Sequence, residues 1–142
     1  MAGGDFSERV VVVTGSSRGI GRETARAFAA AGAHVVLNGR NRERLEEVRQ
    51  ELESAGYAVS AYACDVAVAE EARGLIEHAA GVRGRIDVLV NNAGISMRGP
   101  FAETTPEVIE EVTRVNILGA ALPTRYAVPH LTEARGSVVF IS

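Results

Sequence analysis

The chain has 142 residues, 46% of them hydrophobic, with 15 basic and 18 acidic side chains and a formal net charge of −3. This length and composition predict one globular domain, and the weak negative charge argues against nucleic-acid binding and against a basic membrane-binding surface. No stretch approaches the roughly 18 apolar residues of a membrane span, and residues 1–9 lack the apolar core of a signal peptide. The single cysteine, Cys64, excludes an internal disulfide, so we expect a cytoplasmic protein.

Strands and helices are predicted to alternate along the chain, because short apolar runs alternate with longer amphipathic or alanine-rich segments. In chain order the predicted elements are strand Val10–Thr14, helix Gly19–Ala31, strand His34–Leu37, helix Arg42–Ala55, strand Tyr57–Ala63, helix Ala69–Val82, strand Ile86–Val90, a long helical segment Pro106–Leu131 and strand Ser137–Ile141. Asn41 and Thr105 stand directly before two of these helices and are residue types that cap helix N-termini. Pro123 lies inside the long helical segment and is expected to kink or break it.

This alternation predicts an α/β fold, a doubly wound parallel sheet joined by right-handed crossovers. In such folds the ligand site lies outside the carboxyl ends of the strands. The predicted strands end in polar or glycine-rich loops, namely Gly15–Gly21, Asn38–Arg40, Cys64–Val66 and Asn91–Gly94. Because these four loops meet at one edge of the sheet, we expect a binding site there.

The turn between the first strand and the first helix is predicted to bind a phosphate. Gly15 allows the tight turn, Gly19 lets a ligand approach the backbone, and Gly21 lets the helix pack close to the strand. Backbone N–H groups and the helix dipole then point at one place, which suits an anion. The other predicted site residues of this turn are Ser17, Arg18 and Ile20. The spacing G-x-x-x-G-x-G is neither G-x-G-x-x-G nor the P-loop pattern, and an ordinary strand–helix turn remains the alternative.

The loop Asn38-Gly39-Arg40 indicates which dinucleotide the site prefers. Folds of this type place a carboxylate about 20 positions past the glycines when they hold the ribose 2′-hydroxyl of NAD. Arg40 stands there instead, and a guanidinium can bind a 2′-phosphate through charge-assisted hydrogen bonds. Arg18 can add a second cation. We therefore predict NADP(H) in preference to NAD(H), in contact with Gly39 and Arg40. The alternative is that both arginines are solvated surface charges.

Four motifs resemble those of the short-chain dehydrogenase/reductase family, Rossmann-fold oxidoreductases that use NAD(P). Thr14–Gly21 is similar to its T-G-x-x-x-G-x-G cofactor motif, Asp65 to its aspartate near the adenine ring, and Asn91–Gly94 to its N-N-A-G motif. Asn116 matches the asparagine of its catalytic set, which holds a water in a proton relay. The resemblance runs from about Arg9 to the last residue and is closest to 3-oxoacyl-carrier-protein reductases and related ketoreductases. It implies a catalytic role for Asn116 and cofactor contacts at Asp65, Val66, Asn92, Ala93 and Gly94.

Each of these residues also has a plainer explanation. The alternatives are that Asp65 caps the following helix, that Asn92–Gly94 is only a turn, and that Asn116 is a buried core amide with satisfied hydrogen bonds. Asn91 is interpreted as structural, tying neighbouring strands together. The three histidines, His34, His78 and His130, have no ligand-like spacing, so no metal site is predicted.

The family's catalytic serine and its Y-x-x-x-K pair are missing from this sequence. The serine is usually the second of an I-S-S pattern, and Ser142, the last residue, matches the first. The chain contains no lysine, so none of Tyr57, Tyr62 and Tyr126 has one four residues on. Residues 1–142 are thus predicted to be one incomplete NAD(P)-binding Rossmann domain, truncated after the fifth strand and without its catalytic part. The chain is then either a fragment or a truncated protein.

Two functions remain open for such a chain. The first is an NADPH-dependent reductase that exchanges hydride with a carbonyl or alcohol substrate and whose complete form is a homo-oligomer. The second is a dinucleotide-binding module, or a truncated fragment, without catalysis. Both functions need the same site, and the loops that select the substrate lie mostly outside the chain.

Overall fold

The computed structural model describes residues 5–142 and builds them around the strand β1, Val10–Val13, whose four valines are all fully buried. The other elements, in chain order, are α1 (Gly19–Ala30), β2 (His34–Gly39), α2 (Arg42–Ser54), β3 (Val59–Ala63), α3 (Ala69–Arg83), β4 (Val88–Asn91), a 3₁₀ turn (Phe101–Glu103), α4 (Pro106–Thr113), a π-helical segment (Arg114–Leu118), α5 (Gly119–Ala134) and β5 (Ser137–Phe140). The short apolar runs form the strands, and the longer segments between them form the helices.

All five strands are parallel and lie in the order β3-β2-β1-β4-β5, which confirms the predicted α/β Rossmann-type fold. β1 pairs on one side with β2, where Val11 is opposite Val35, and on the other side with β4, where Val11 is opposite Val88. After β3 the chain crosses back over the sheet to β4 on the other side of β1, so the strand order reverses at the boundary between β1 and β4. Ligands bind at the carboxyl ends of the strands beside such a reversal.

Alternate valines of β1 point into two separate cores. Val10 and Val12 pack in a cluster with residues of α3 and α5, whereas Val11 and Val13 pack in a cluster with residues of α1 and α2. Helices therefore cover both faces of the sheet. This double burial explains why β1 is a continuous apolar run rather than an alternating one.

The strand ends differ from those predicted. The sequence predicts a loop at Asn38–Arg40, but β2 continues through Gly39, because Asn38 and Gly39 pair with residues of β3. β3 and β4 begin at Val59 and Val88, each later than predicted, and β4 includes Asn91. Pairing with a neighbouring strand sets these ends, and local residue preference does not contain that information.

The helical segment predicted over Pro106–Leu131 is interrupted, but not at Pro123 as predicted. α4 ends at Thr113, the π-helical segment follows, and α5 runs through Pro123 without a break. Proline cannot donate to the carbonyl four residues earlier, which here belongs to Gly119. Gly119 is the first residue of α5, directly after the π-helical segment, so the missing bond falls at the start of the helix rather than in its interior.

None of the helices in residues 5–142 combines the length and the apolar character that crossing a membrane requires. In the same residues, no three histidine, cysteine or acidic side chains come together as a metal site would need.

Candidate functional site

A cleft of about 320 Å³ opens at the carboxyl ends of the first four strands. The residues that line it are Gly15, Arg18, Gly19, Ile20, Asn38, Gly39, Arg40, Cys64, Asp65, Val66, Asn92, Ala93, Gly94, Ile95 and Val115. All four loops that the sequence places at this edge contribute to the lining. Of the predicted site residues, Ser17, Gly21 and Asn116 lie outside it.

The three glycines of the turn after β1 meet different steric requirements. Gly15 has a φ of +62°, and a Cβ there would lie 2.8 Å from the Ala93 Cα. A Cβ on Gly21 would collide with the Gly15 carbonyl oxygen, so α1 packs this close to the turn only with glycine. Gly19 has a φ of +58° and no atom from another part of the chain within 4 Å of its Cβ position. The backbone at the start of α1, whose first N–H groups have no partner within the helix, is therefore open to a ligand.

The ends of β1 and β4 are tied together at the base of the cleft. Thr14 Oγ1 accepts hydrogen bonds from the N–H groups of Asn92 and Ala93, both at 3.0 Å. The Asn92 side chain donates to the carbonyl oxygens of Gly15, at 2.9 Å, and of Thr14, at 3.2 Å. Asn92 and Ala93 are therefore more than a turn, since they hold the glycine turn in place.

Asn91 joins neighbouring strands through its main chain and not through its side chain. Its main chain lies opposite Phe140 of β5, and its carbonyl oxygen accepts from the Ile141 N–H at 3.0 Å. Its buried side chain donates to Thr124 Oγ1 of α5 at 2.9 Å, and its Oδ1 has no hydrogen-bond partner in residues 5–142. The side-chain contact with the turn after β1 comes from Asn92 instead.

Two arginines contribute positive charge to the lining of the cleft. Arg40 follows β2, and Arg18 directly precedes α1. Both side chains are exposed, and neither forms an ion pair within residues 5–142. Ser17 lies against Gly39, where a Cβ would be 3.2 Å from the Ser17 Oγ, so a side chain at position 39 would make Ser17 shift by a few tenths of an ångström. The two guanidinium groups are available to an anion in the cleft.

Asp65 lies just past the end of β3 and is held at both carboxylate oxygens. Oδ1 accepts from the Ala67 N–H at 2.9 Å, and Oδ2 accepts from Arg114 Nη2 at 3.1 Å. The helix-cap alternative for Asp65 is wrong, because Val68 is the N-cap of α3 and no side chain caps that helix. Hydrogen bonds to Glu111 and to Asp65 raise the pKa of Arg114 above its ordinary value.

Asn116 lies in the middle of the π-helical segment and clamps the loop after β4. Its Oδ1 accepts from the Ile95 N–H at 2.9 Å, and its Nδ2 donates to the Ile95 carbonyl oxygen at 2.8 Å. A Cβ on Gly94 would lie 2.8 Å from Asn116 Oδ1, so only glycine at position 94 leaves room for the Asn116 side chain. The alternative of a buried core amide is wrong, because Asn116 is exposed although its hydrogen bonds are satisfied. Asn116 therefore reaches the cleft through Ile95.

Four lining residues are not among the individual site residues predicted from the sequence, namely Asn38, Cys64, Ile95 and Val115. Asn38 and Cys64 nevertheless lie in two of the loops predicted at this edge of the sheet, and Ile95 directly follows a third, Asn91–Gly94. Cys64 is buried, and burial raises the pKa of its thiol to about 11, so the thiol stays protonated at neutral pH. No sequence feature points to Val115, or to Arg114, which bonds to Asp65 across 49 residues of sequence.

Several known proteins resemble this chain in sequence. The family model described as short chain dehydrogenase matches residues 9–142. Dehydrogenase/reductase SDR family member 7B of Bos taurus is 44% identical over 140 residues, which cover 94% of this chain and 43% of that protein. L-fucose dehydrogenase of Oryctolagus cuniculus is 37% identical over 142 residues, which cover 99% of this chain and 49% of that protein. The chain thus spans about half the length of the curated relatives it matches.

Solved structures with the same fold superpose closely on the chain. A metagenomic short-chain oxidoreductase in complex with NADP is 35% identical with a TM-score of 0.89, over 98% of this chain and 64% of that one. A gluconate 5-dehydrogenase from Burkholderia cenocepacia, in complex with NADP and tartrate, is 34% identical with a TM-score of 0.84, over 94% of this chain and 53% of that one. Together with the strand order and the glycine turn, these matches show that the chain belongs to the short-chain dehydrogenase/reductase family of oxidoreductases and has its Rossmann fold.

Proposed function

We propose that this chain forms the cofactor-binding part of an NADP(H)-dependent oxidoreductase that moves hydride between NADPH and a carbonyl or alcohol substrate. One observation carries the cofactor preference: the Arg40 guanidinium lines the cleft directly after Gly39 at the end of β2. A carboxylate in that place would bind the 2′-hydroxyl of NAD, whereas a guanidinium binds the 2′-phosphate that only NADP carries. The NADP complex of the similar metagenomic oxidoreductase supports the same cofactor class.

The cleft fits the chemistry of a dinucleotide. In the turn Gly15–Gly21, the open backbone at Gly19 and the positive end of α1 suit the pyrophosphate. Asp65 keeps lone pairs for the amino group of adenine beside Val66, and Asn92–Gly94 offers small side chains to a flat ligand. When bound, NADPH supplies the hydride, and the residues of this chain bind and orient the cofactor.

The proposal extends to the whole protein in three respects. Residues 1–142 belong to one NAD(P)-binding domain, and the serine and the tyrosine–lysine pair of the catalytic set lie outside these residues, which is consistent with relatives about twice as long. The buried thiol of Cys64, the only cysteine, suits a reducing cytoplasm. The complete enzyme is a homo-oligomer, as the resemblance to the family implies.

Replacing Arg40 by aspartate is expected to remove the preference for NADPH. A charge-assisted hydrogen bond contributes ~1.5–3 kcal/mol, so the Kd for NADPH should rise roughly ten- to hundredfold. Repulsion between the new carboxylate and the 2′-phosphate adds to that loss. The Kd for NADH should stay the same or fall, because a carboxylate accepts from the 2′-hydroxyl. Fluorescence titration of the parent and of Arg40→Asp with each cofactor measures these constants.

The matched control for Arg40→Asp is Arg42→Asp. Arg42 is the first residue of α2, is exposed and lies outside the cleft lining. The control changes the net charge by the same amount at almost the same place, so a general electrostatic effect would act on both variants. We expect NADPH to bind the control as it binds the parent. Equal affinities of the parent chain for NADPH and NADH would contradict the proposed preference.

We propose that Asn116, whose side chain is hydrogen-bonded to the main chain of Ile95, holds a water of the proton relay. In an enzyme that carries the complete catalytic set, Asn116→Ala is expected to lower kcat by about tenfold, less than the ~10²–10⁴ of a direct acid–base group. The Kd for NADPH should stay nearly constant, because a proton relay acts on the chemical step. Steady-state kinetics measure kcat, and cofactor titration measures the Kd for NADPH. Thr113→Ala is the control, because the exposed Thr113 hydroxyl donates only to Ile109 within its own helix. Equal losses in kcat and in NADPH affinity would instead assign Asn116 to cofactor binding.

A further inference from the structure

Asn38 is a buried polar side chain in the wall of the cleft, and the cofactor contacts proposed above do not use it. It is 1% exposed and is the second-to-last residue of β2, directly before Gly39. An asparagine side chain has two N–H donors and one carbonyl acceptor, and burying them is costly unless they are hydrogen-bonded. The partners of this carboxamide therefore show what the position requires.

On one side, Asn38 holds the turn after β1. Its Oδ1 accepts from the Gly15 N–H at 3.4 Å, and its main-chain carbonyl oxygen accepts from the Ser16 N–H at 2.7 Å. The Asn38 N–H donates to Ser16 Oγ at 2.9 Å, and that fully buried hydroxyl donates to the Val13 carbonyl oxygen at 2.8 Å. The start of the glycine turn is thus fastened to β2 through both main chain and side chains.

On the other side, the same carboxamide holds the end of β3. Its Nδ2 donates to the Tyr62 carbonyl oxygen at 3.1 Å and to the carbonyl oxygen and Sγ of Cys64 at 3.4 and 3.3 Å. Asp65 and Val66, which line the cleft, follow Cys64 directly. One side chain therefore connects the glycine turn to the segment that carries Asp65.

We propose that Asn38, with Ser16 as its link to the turn, is a positioning residue that fixes the distance between the phosphate-binding turn and the end of β3. The inference rests on the proposed function, in which the adenosine half of the cofactor binds between these two segments. The position needs an acceptor toward Gly15 and a donor toward Tyr62 at the same time. Asparagine supplies both, whereas valine would leave both main-chain groups without these partners.

The test compares Asn38→Val with the matched control Asn91→Val. Both asparagines are buried at strand ends, with 1% and 4% exposure, and both donate to a neighbouring element. Asn91, however, bonds to Thr124 of α5 and lies outside the cleft lining. Isothermal titration with 2′,5′-ADP, the adenosine half of NADP, and with NADPH gives the affinities at a temperature where all variants are folded. Thermal unfolding measures the loss of stability in each.

We expect Asn38→Val to weaken the binding of 2′,5′-ADP and NADPH by about tenfold or more. Asn91→Val should keep both affinities close to those of the parent. A purely structural role for Asn38 predicts that Asn38→Val loses stability and keeps the parent's affinities, and that result overturns the proposal. If the parent chain binds no nucleotide, the proposed function fails together with this inference; if the parent binds and Asn38→Val binds equally well, the inference alone fails.

Ser16→Ala decides the question if Asn38→Val does not fold. It removes the Ser16 hydroxyl, which is one of the links between Asn38 and the turn, and leaves the carboxamide with its bonds to Gly15 and to β3 in place. This variant should bind 2′,5′-ADP severalfold more weakly than the parent. An unchanged affinity in folded Ser16→Ala overturns the proposal.

Discussion

Replacing Gly19 by valine is expected to abolish NADPH binding at cofactor concentrations that saturate the parent chain. No atom from another part of the chain lies within 4 Å of the Cβ position at Gly19, so a side chain there would extend into open space beside the cleft that Gly19 lines. Pyrophosphate oxygens need that space to accept hydrogen bonds from the first N–H groups of α1. Loss of two such charge-assisted bonds costs ~3 kcal/mol or more, which raises the Kd by about a hundredfold or more.

Gly84→Val separates this effect from backbone strain. Gly19 and Gly84 have similar left-handed backbones, with φ of +58° and +70°, and open space at both Cβ positions. A side chain in this conformation costs roughly 1–2 kcal/mol at either place, so the unfolding temperatures of the two variants should fall by similar amounts. Gly84 is the C-cap of α3 and lies outside the cleft lining, so its variant should bind NADPH normally. Calorimetric titration that finds parent-like affinity in Gly19→Val would show that the turn does not hold the pyrophosphate.

The sequence predicts those features of the site that follow from the path of the main chain. The valine run of β1 specifies a strand buried on both faces, and the steric contacts at Gly15 and Gly21 agree with the reasons for glycine inferred from the sequence. Once strands and helices alternate, the parallel sheet brings the loops at the strand ends to one edge. The cleft contains residues from all four of those loops.

Features that depend on hydrogen-bond register or on distant partners are absent from the local pattern. A helical period of 3.6 residues places Asn116 inside a regular helix, whereas the π-helical segment shifts the register and leaves Asn116 exposed beside Ile95. The bond between Asp65 and Arg114 joins residues 49 positions apart, and no spacing rule connects them. Both features appear only when α4 and α5 are packed against the strand ends.

The two neighbouring asparagines show how sensitive such predictions are to one position in a strand. β4 ends at Asn91, one residue later than predicted. Asn91 is therefore a strand residue, and its side chain points toward α5. Asn92, the first residue past the strand, then reaches the main chain of Thr14 and Gly15. Because adjacent residues of a strand point to opposite faces, an error of one residue exchanges the roles of two side chains.

The 142-residue chain is expected to bind NADPH only weakly and not to reduce a carbonyl. Reduction needs a proton at the carbonyl oxygen as the hydride arrives, and a positioned acid contributes ~10²–10⁴-fold to that step. The chain contains no lysine that could lower the pKa of a tyrosine. Its three tyrosines, Tyr57, Tyr62 and Tyr126, all lie outside the cleft lining and pack against the two cores instead. No tyrosine–lysine pair is therefore present to protonate a substrate in the cleft.

The assay follows NADPH absorbance with the purified chain and a panel of ketones and 3-oxoacyl thioesters. The parent should bind NADPH in a titration and show no oxidation above the buffer control. Gly19→Val is assayed beside it, because oxidation that persists in a variant unable to bind NADPH comes from a contaminating enzyme. Sustained oxidation that copurifies with the parent and disappears in Gly19→Val would mean that a residue within 1–142 supplies the proton. The assignment of that proton to a tyrosine–lysine pair outside these residues would then be wrong.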